Sequence, residues 1–254
     1  METKPPHLQP MLISFSGVDG AGKSTQIANL CTKLDDAGLK VRIVTFWDDV
    51  ATLKSVREGA GHKIFKGDKG VGSPEAPIER RDKNVRSPLM TLVRLGMYVL
   101  DALSLRSKAR QVLQSGADVV IFDRYIYDEL ANLNLRNPLV RLYLECLIKL
   151  VPLPHVAFVL DADPVEARKR KPEYPLAFLH ENRRAYLRVA DFLGTVAVVP
   201  PLPLEQAKAE VVRRVWECTA FHKRRNAPAA PRELPIDFPS QKRVDGQQVR
   251  PLAS

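Results

Sequence analysis

A nine-residue loop near the start of the chain constrains the fold more than any other feature. Residues 17–25 read Gly-Val-Asp-Gly-Ala-Gly-Lys-Ser-Thr and match the pattern G-x-x-x-x-G-K-[ST] in full. The loop follows a short apolar run at 11–15 and precedes a segment with apolar residues at helical spacing. Between a strand and a helix, the backbone N–H groups of such a loop converge on phosphate oxygens. The sequence therefore predicts a phosphate-binding loop (P-loop) at a strand-to-helix turn.

The same loop predicts a nucleotide and a metal ion. A lysine at the position of Lys23 reaches the β- and γ-phosphates, and the Ser24 hydroxyl is a ligand for Mg²⁺. We therefore expect ATP and Mg²⁺ as cofactors. The residues predicted to bind the nucleotide are Gly17, Asp19, Gly20, Ala21, Gly22, Lys23, Ser24 and Thr25.

The rest of the pattern alternates between strands and helices. Apolar, β-branched runs at 11–15, 41–46, 118–122, 155–160 and 195–199 predict strands, and helical spacing occupies most of the chain between them. Such alternation is typical of a parallel sheet with right-handed crossovers. We predict an α/β, three-layer P-loop NTPase fold with a parallel five-stranded sheet and helices on both faces. Ligands of these folds bind at the carboxyl ends of the strands.

Four segments describe the predicted domain organisation. Residues 1–10 are expected to form a disordered leader and 11–221 a single kinase-sized domain, of which 47–87 lacks periodicity and forms an irregular insertion. Proline and charge dominate 222–254, which predicts a basic, disordered tail.

Composition excludes several classes of function. The formal net charge is +10, but the tail supplies +4 of it, so we expect a phosphate-handling protein rather than one whose main partner is nucleic acid. No apolar run approaches the ~20 residues of a membrane span, and prolines interrupt the first ten residues, which argues against a signal peptide. Three widely spaced cysteines predict reduced thiols and a cytoplasmic location.

A second polar motif ends the third predicted strand. It reads Asp123-Arg124-Tyr125. An acid at the end of a strand can hold Mg²⁺ or its water, and an arginine beside it can bind an acceptor phosphate through two hydrogen bonds. The structural alternative is a salt bridge that closes the strand; with the P-loop upstream, we favour the functional interpretation.

These motifs together resemble those of a known family. GVDGAGKSTQ at 17–26, the Asp123-Arg124-Tyr125 motif and LDADP at 160–164 occur in the order and spacing of thymidylate kinases, within the superfamily that includes deoxynucleoside kinases. The resemblance implies phosphoryl transfer from ATP to a small-molecule acceptor, namely dTMP, by an enzyme that is commonly a homodimer. It also implies that Asp19 faces the acceptor nucleotide and that Arg124 lies near its phosphate.

The resemblance also implies where the catalytic charge comes from. Gly20 stands where some relatives carry a catalytic arginine, and such enzymes take the charge from a mobile lid instead. The lid corresponds to 168–176, and Arg170 best matches the family's lid arginine. We therefore predict Lys23, Arg124 and Arg170 as catalytic residues, with Ser24 and Asp123 as metal ligands; the alternative for the basic run at 168–171 is a solvated helix end.

Two departures from the family leave the acceptor open. Phe46-Trp47-Asp48-Asp49 replaces the family's Arg-Glu-Pro, and Asp101 lies near the position of a second common arginine. Basic residues at 80–94 are candidates to replace them. Alternatively the acceptor is a hydroxyl group, of a nucleoside or another small metabolite, with Asp48 or Asp49 as general base; for both acids the structural alternative is loop capping.

A non-enzymatic alternative is a nucleotide-dependent switch or a partner-binding module. The chain has no Asn-Lys-x-Asp guanine motif, and Asp123 is not followed by the Asp-x-x-Gly spacing of a GTPase switch. Dependence of ATP consumption on an acceptor discriminates a kinase from a switch.

Overall fold

The computed structural model describes residues 10–51 and 88–226. Its sheet contains β1 (Met11–Ser16), β2 (Val41–Thr45), β3 (Val119–Asp123), β4 (Val156–Leu160) and β5 (Val196–Val199). All neighbouring strands are parallel, in the order β2-β3-β1-β4-β5. The predicted α/β fold with a parallel five-stranded sheet is confirmed.

Seven α-helices connect or flank the strands within the described residues. They are α1 (Lys23–Asp36), α2 (Pro88–Leu113), α3 (Ile126–Leu130), α4 (Pro138–Ile148), α5 (Pro164–Arg170), α6 (Leu176–Leu193) and α7 (Leu204–Asn226). A single turn of π-helix, Phe46–Val50, follows β2. None of these helices is both long and apolar enough to cross a membrane.

Each face of the sheet is covered by helices and buries its own apolar core, so the domain has three layers. Helices α2, α3, α4 and α6 pack on one face, which carries the side chains of Leu12, Val44 and Phe122. Helices α1 and α7 pack on the other face, which carries Ile13 and Phe15. Alternation along β1 follows from the period of two in a strand. Every residue of β4 is buried, as expected for a central parallel strand covered on both sides.

The end of the second strand and the start of the tail differ from the sequence-based prediction. Phe46 was expected in the second strand; it is completely buried but begins the π-helical turn. The helical region predicted before Pro152, with an interruption near Pro138, is confirmed as α3 and α4; Pro138 begins α4, because proline lacks the N–H that the first turn leaves unpaired. Residues 222–226 belong to α7 rather than to the predicted tail.

Several predicted segments lie outside the described residues. They are 1–9 of the leader, 52–87 of the insertion and 227–254 of the tail.

Candidate active site

The P-loop joins β1 to α1 at the carboxyl edge of the sheet. Gly22 adopts a left-handed backbone (φ +89°) and lies immediately before Lys23, the first residue of α1, which has no side-chain cap. The first amides of an uncapped helix carry a partial positive charge and unused N–H groups. This end of α1 is therefore suited to an anion such as a nucleotide phosphate.

Two loop glycines are required by close backbone packing. A side chain at Gly17 (φ +139°) would place its Cβ atom 2.5 Å from the carbonyl oxygen of Leu160 at the end of β4. A side chain at Gly20 (φ +82°) would place its Cβ atom 2.4 Å from the carbonyl oxygen of Ala167 in α5. The loop is thus packed between β4 and α5, with no room for a side chain at either position.

Lys23 is held inside the loop. Its side chain is only 8% exposed, and Nζ donates hydrogen bonds to the carbonyl oxygens of Gly17 (2.8 Å) and Val18 (3.0 Å). Burial, followed by the nearby charge of Arg124, lowers the pKa of Lys23 to about 8, although neighbouring carboxylates partly oppose the shift. The ammonium group is therefore already in place beside the loop.

The lowered pKa of Lys23 predicts a pH-dependent difference in stability. Between pH 8 and 10.5 the unfolded chain binds more protons at this residue than the folded chain, so the free energy of unfolding rises with pH. A shift from 10.5 to about 8 corresponds to about 3 kcal/mol. Urea unfolding of the wild type and of Lys23→Met should show the wild type gaining about that amount over the variant between these pH values. If the free energies of unfolding of the two proteins changed with pH in parallel, the lowered pKa of Lys23 would be contradicted.

Arg124 connects the P-loop to the end of β3. It is the one non-glycine residue of the described chain with a left-handed backbone (φ +69°). Its guanidinium donates Nη1–H to Asp128 Oδ1 (2.7 Å) and forms an ion pair with Asp19 through Nη2. Burial lowers the pKa of Arg124, but the adjacent carboxylates outweigh it and raise the pKa overall. The arginine remains charged next to Lys23.

The residues predicted as metal ligands lie near the loop lysine. Ser24 is exposed in the first turn of α1, and Asp123 ends β3, close enough to Lys23 for its charge to raise the pKa of that lysine. A hydroxyl and a carboxylate are the hard oxygen ligands that Mg²⁺ prefers. The described residues contain no cluster of three or more His, Cys, Asp or Glu that could hold a metal by itself. The two residues thus fit an ion bound mainly by phosphates and water.

The predicted lid arginine lies directly over the loop. A Cβ atom at Gly22 would be 4.0 Å from Nη1 of Arg170, and Nε of the same arginine donates to the carbonyl oxygen of Glu166 (3.2 Å). Arg170 is exposed and ends α5, and the predicted lid, 168–176, continues into the first residue of α6. A flexible cation is therefore within reach of a phosphate bound at the loop.

A second arginine near the lid has no signal in the sequence. Arg183 on α6 donates two hydrogen bonds to Asp161, from Nε to Oδ1 (2.6 Å) and from Nη2 to Oδ2 (2.8 Å). This bidentate pair joins α6 to the end of β4, next to the close contact of Gly17 with Leu160. It escaped prediction because the partners are 22 residues apart in the chain.

The two acids after β2 lie in the π-helical turn. Asp49 Oδ2 accepts a hydrogen bond from the Thr45 N–H (2.9 Å), and Oδ1 lies 3.4 Å from Nζ of Lys108 on α2. Asp49 therefore ties this turn to its neighbours, in the manner of a loop cap. Asp48 is exposed. The candidate basic residues before position 88 lie outside the described part of the chain. Asp101, near the position of the family's second arginine, is completely buried in α2.

Comparisons with known proteins place these features among kinases. No protein-family profile matches the chain. A probable thymidylate kinase of Archaeoglobus fulgidus is 32% identical over 215 residues, which cover 82% of this chain and 95% of that protein. A thymidylate kinase of Chlorobium phaeobacteroides is 30% identical over 177 residues, covering 66% and 69%. The structure of thymidylate kinase from Ehrlichia chaffeensis is similar in fold, with a TM-score of 0.50, 18% identity, and coverage of 82% of this chain and 99% of that one.

Proposed function

The chain belongs to the thymidylate kinase family and is a P-loop kinase, and we propose that it transfers the γ-phosphoryl group of MgATP to dTMP, forming ADP and dTDP. One observation carries the proposal. Lys23, Arg124 and Arg170 approach the same carboxyl edge of the sheet from the loop, from β3 and from α5. Phosphoryl transfer between two phosphates needs such a set of cations more than it needs a base.

The donor half of the site is built by the loop and α1. The N–H groups at the start of α1 bind the donor phosphates, and Lys23 exchanges its bonds to Gly17 and Val18 for bonds to the β- and γ-phosphates. Ser24 and Asp123 would hold Mg²⁺, and the ion would neutralise part of the negative charge on the donor phosphates. Because the polyanion favours the ammonium form, Lys23 remains protonated in the complex.

The acceptor half centres on Arg124. Its guanidinium lies between the loop and α3, and the ion pair with Asp19 is on the loop side. An acceptor phosphate competes with Asp19 for the Nη2–H group and is drawn toward the donor phosphates. The phosphate of dTMP is anionic at neutral pH, so the attacking oxygen needs no general base.

The lid supplies the third cation. An arginine at position 20, as in some relatives, would place its Cβ atom against Ala167, so the loop of this chain has no space for it. Arg170, at the end of the same helix as Ala167, lies near Gly22 and stabilises the charge spread over the transferring phosphoryl group. Closure of 168–176 over the nucleotide would also exclude water.

A hydroxyl acceptor is the second candidate. The turn after β2 contains no arginine but contains two exposed acids, Asp48 and Asp49. A nucleoside hydroxyl would have to lose its proton, and Asp48 or Asp49 would accept it as general base.

Release of ADP across a panel of acceptors tests the proposal. Purified enzyme with MgATP is supplied with dTMP, UMP, the other deoxynucleoside monophosphates, thymidine and the other deoxynucleosides. We expect kcat/KM for dTMP to exceed that for every nucleoside by at least about 100-fold, because a site with an arginine that binds phosphate rejects an acceptor without one. Turnover with nucleosides alone would overturn the dTMP assignment in favour of the hydroxyl acceptor.

A further inference from the structure

One buried carboxylate at the site was not singled out by any sequence motif. Asp128 lies in α3 and is 5% exposed. Its Oδ2 accepts hydrogen bonds from Ser16 Oγ (2.6 Å) and from the Tyr125 N–H (3.2 Å). Its Oδ1 accepts from Arg124 Nη1 (2.7 Å) and from the hydroxyl of Tyr186 (2.8 Å). Both oxygens therefore have two donors each, which uses the full capacity of a carboxylate.

The four donors come from different parts of the site. Ser16 ends β1 immediately before the P-loop, Arg124 and Tyr125 follow β3, and Tyr186 belongs to α6, the helix that follows the predicted lid. Tyr186 is 5% exposed, and burial, followed by the charge of Asp128, raises the pKa of its hydroxyl well above the usual value. The hydroxyl thus remains a donor at any physiological pH. The carboxylate of Asp128 therefore joins the strand before the P-loop, Arg124 and helix α6.

The backbone of Arg124 shows why such an anchor is needed. A left-handed conformation is unfavourable for a non-glycine residue, and a strained residue persists only where its surroundings hold it. The Arg124 N–H donates to the carbonyl oxygen of Phe15 (2.9 Å), and its side chain is held by Asp128 on one side and Asp19 on the other. Among the side chains that the structure describes, loss of Asp128 would leave the guanidinium with the loop carboxylate of Asp19 as its ion-pair partner.

We infer that Asp128 is a positioning residue that fixes the guanidinium of Arg124 for the acceptor phosphate, with Tyr186 and Ser16 fixing Asp128 in turn. The acceptor phosphate in this inference rests on the proposed function, whereas the position of the Arg124 guanidinium is given by its ion pairs. Asp19 belongs to the loop and is the partner that an acceptor displaces, whereas Asp128 is the partner that stays. Loss of Asp128 should therefore weaken the acceptor site and leave the donor site largely unchanged.

The test uses Asp128→Asn in the full chain. The amide keeps the size of the carboxylate, but either orientation turns an NH₂ group toward an existing N–H donor, that of Tyr125 or that of Arg124. Tyr186→Phe removes one donor and leaves the charge in place. Asp118→Asn is the matched control for the carboxylate, since Asp118 Oδ2 accepts from the Lys40 N–H at the opposite end of β3. Tyr143→Phe is the control for the phenol, since it removes a hydrogen bond to the carbonyl oxygen of Leu95.

Steady-state kinetics give the first readout. With MgATP and dTMP, we expect Asp128→Asn to raise KM for dTMP by about 10- to 100-fold, the usual effect of losing a charge-assisted hydrogen bond, while KM for ATP stays within about twofold. Tyr186→Phe should change KM for dTMP in the same direction by less than tenfold, and neither control should change it. Equal increases in both KM values, or no increase, would overturn the positioning role.

Arginine side-chain NMR gives the second readout, which needs no acceptor. The Nη signals of Arg124, assigned by their loss in Arg124→Lys, should be separately resolved in the free wild type, because ion pairs on both sides hinder rotation of the guanidinium. They should merge in Asp128→Asn and remain resolved in Asp118→Asn. An unchanged spectrum in Asp128→Asn overturns the inference. If the wild type fails to phosphorylate dTMP, the proposed function fails, and the NMR comparison alone decides the role of Asp128.

Discussion

Lys23→Ala is expected to reduce turnover by at least about 10³-fold while the enzyme remains folded. The ammonium group sits beside the carbonyl oxygens of Gly17 and Val18 and is the loop's own cation for the donor phosphates. Removing a preorganised charge from a phosphoryl-transfer site costs about this much in rate. Because Lys23 is buried with a lowered pKa, the charged form adds little to stability. ADP release and thermal unfolding, measured side by side, separate the two effects.

Lys33→Ala is the matched control for this experiment. Lys33 lies on the same helix, α1, and its exposed ammonium forms a surface pair with Asp36 at 3.8 Å. Such pairs contribute about 0–1 kcal/mol, so turnover and stability should both stay close to those of the wild type. Retained activity in Lys23→Ala would show that the donor phosphates bind elsewhere. A large loss in Lys33→Ala would mean that removal of any helix lysine disturbs the site.

Gly17→Ala is expected to lower the free energy of unfolding by about 2–5 kcal/mol. Two effects contribute: a left-handed backbone costs alanine roughly 1–2 kcal/mol, and overpacking adds roughly 1–3 kcal/mol. The overpacking arises because the new Cβ atom would lie 2.5 Å from the carbonyl oxygen of Leu160, which is backbone of the central sheet and has little freedom to move. Urea unfolding with a constant m-value measures the difference.

Gly38→Ala separates the two contributions. Gly38 also has a positive φ (+75°), but a Cβ atom there would have nothing within 4 Å. This variant should therefore lose only the roughly 1–2 kcal/mol of backbone strain. If Gly17→Ala and Gly38→Ala are equally destabilised, the close approach of the loop to β4 contributes nothing. A larger loss at Gly17 would support the packing of the P-loop against the sheet.

Most of the fold could be predicted because its signals are local. Each strand was a short apolar run, and helical spacing together with the position of Pro138 indicated the helices that the structure contains. Right-handed crossovers then leave few ways to arrange alternating strands and helices. The error at Phe46 has the same origin. Its aromatic side chain is buried, as strand residues are, and periodicity alone does not distinguish a buried π-helical turn from the end of a strand.

The candidate site was predicted less completely than the fold. The loop motif identified Lys23 and Ser24, and the family resemblance pointed to Arg124 and Arg170, whose catalytic roles remain predictions. The carboxylate of Asp128, which pairs with Arg124, and the partner of Asp161, Arg183, had no motif. Asp128 was one acid in a helical region, and the Arg183–Asp161 pair joined a helix to a strand end without a recognisable spacing.

The sequence by itself determined the phosphate-binding loop, the alternation of strands and helices, and the family, because each depends on residues within a few positions of one another. Only the tertiary structure decided which charges meet. Asp128 contacts Ser16 across 112 residues and Tyr186 across 58, and Arg124 contacts Asp19 across 105. Such contacts arise when strand order and helix packing bring distant segments to one edge of the sheet. The electrostatics of the site therefore follow from packing, which no local pattern encodes.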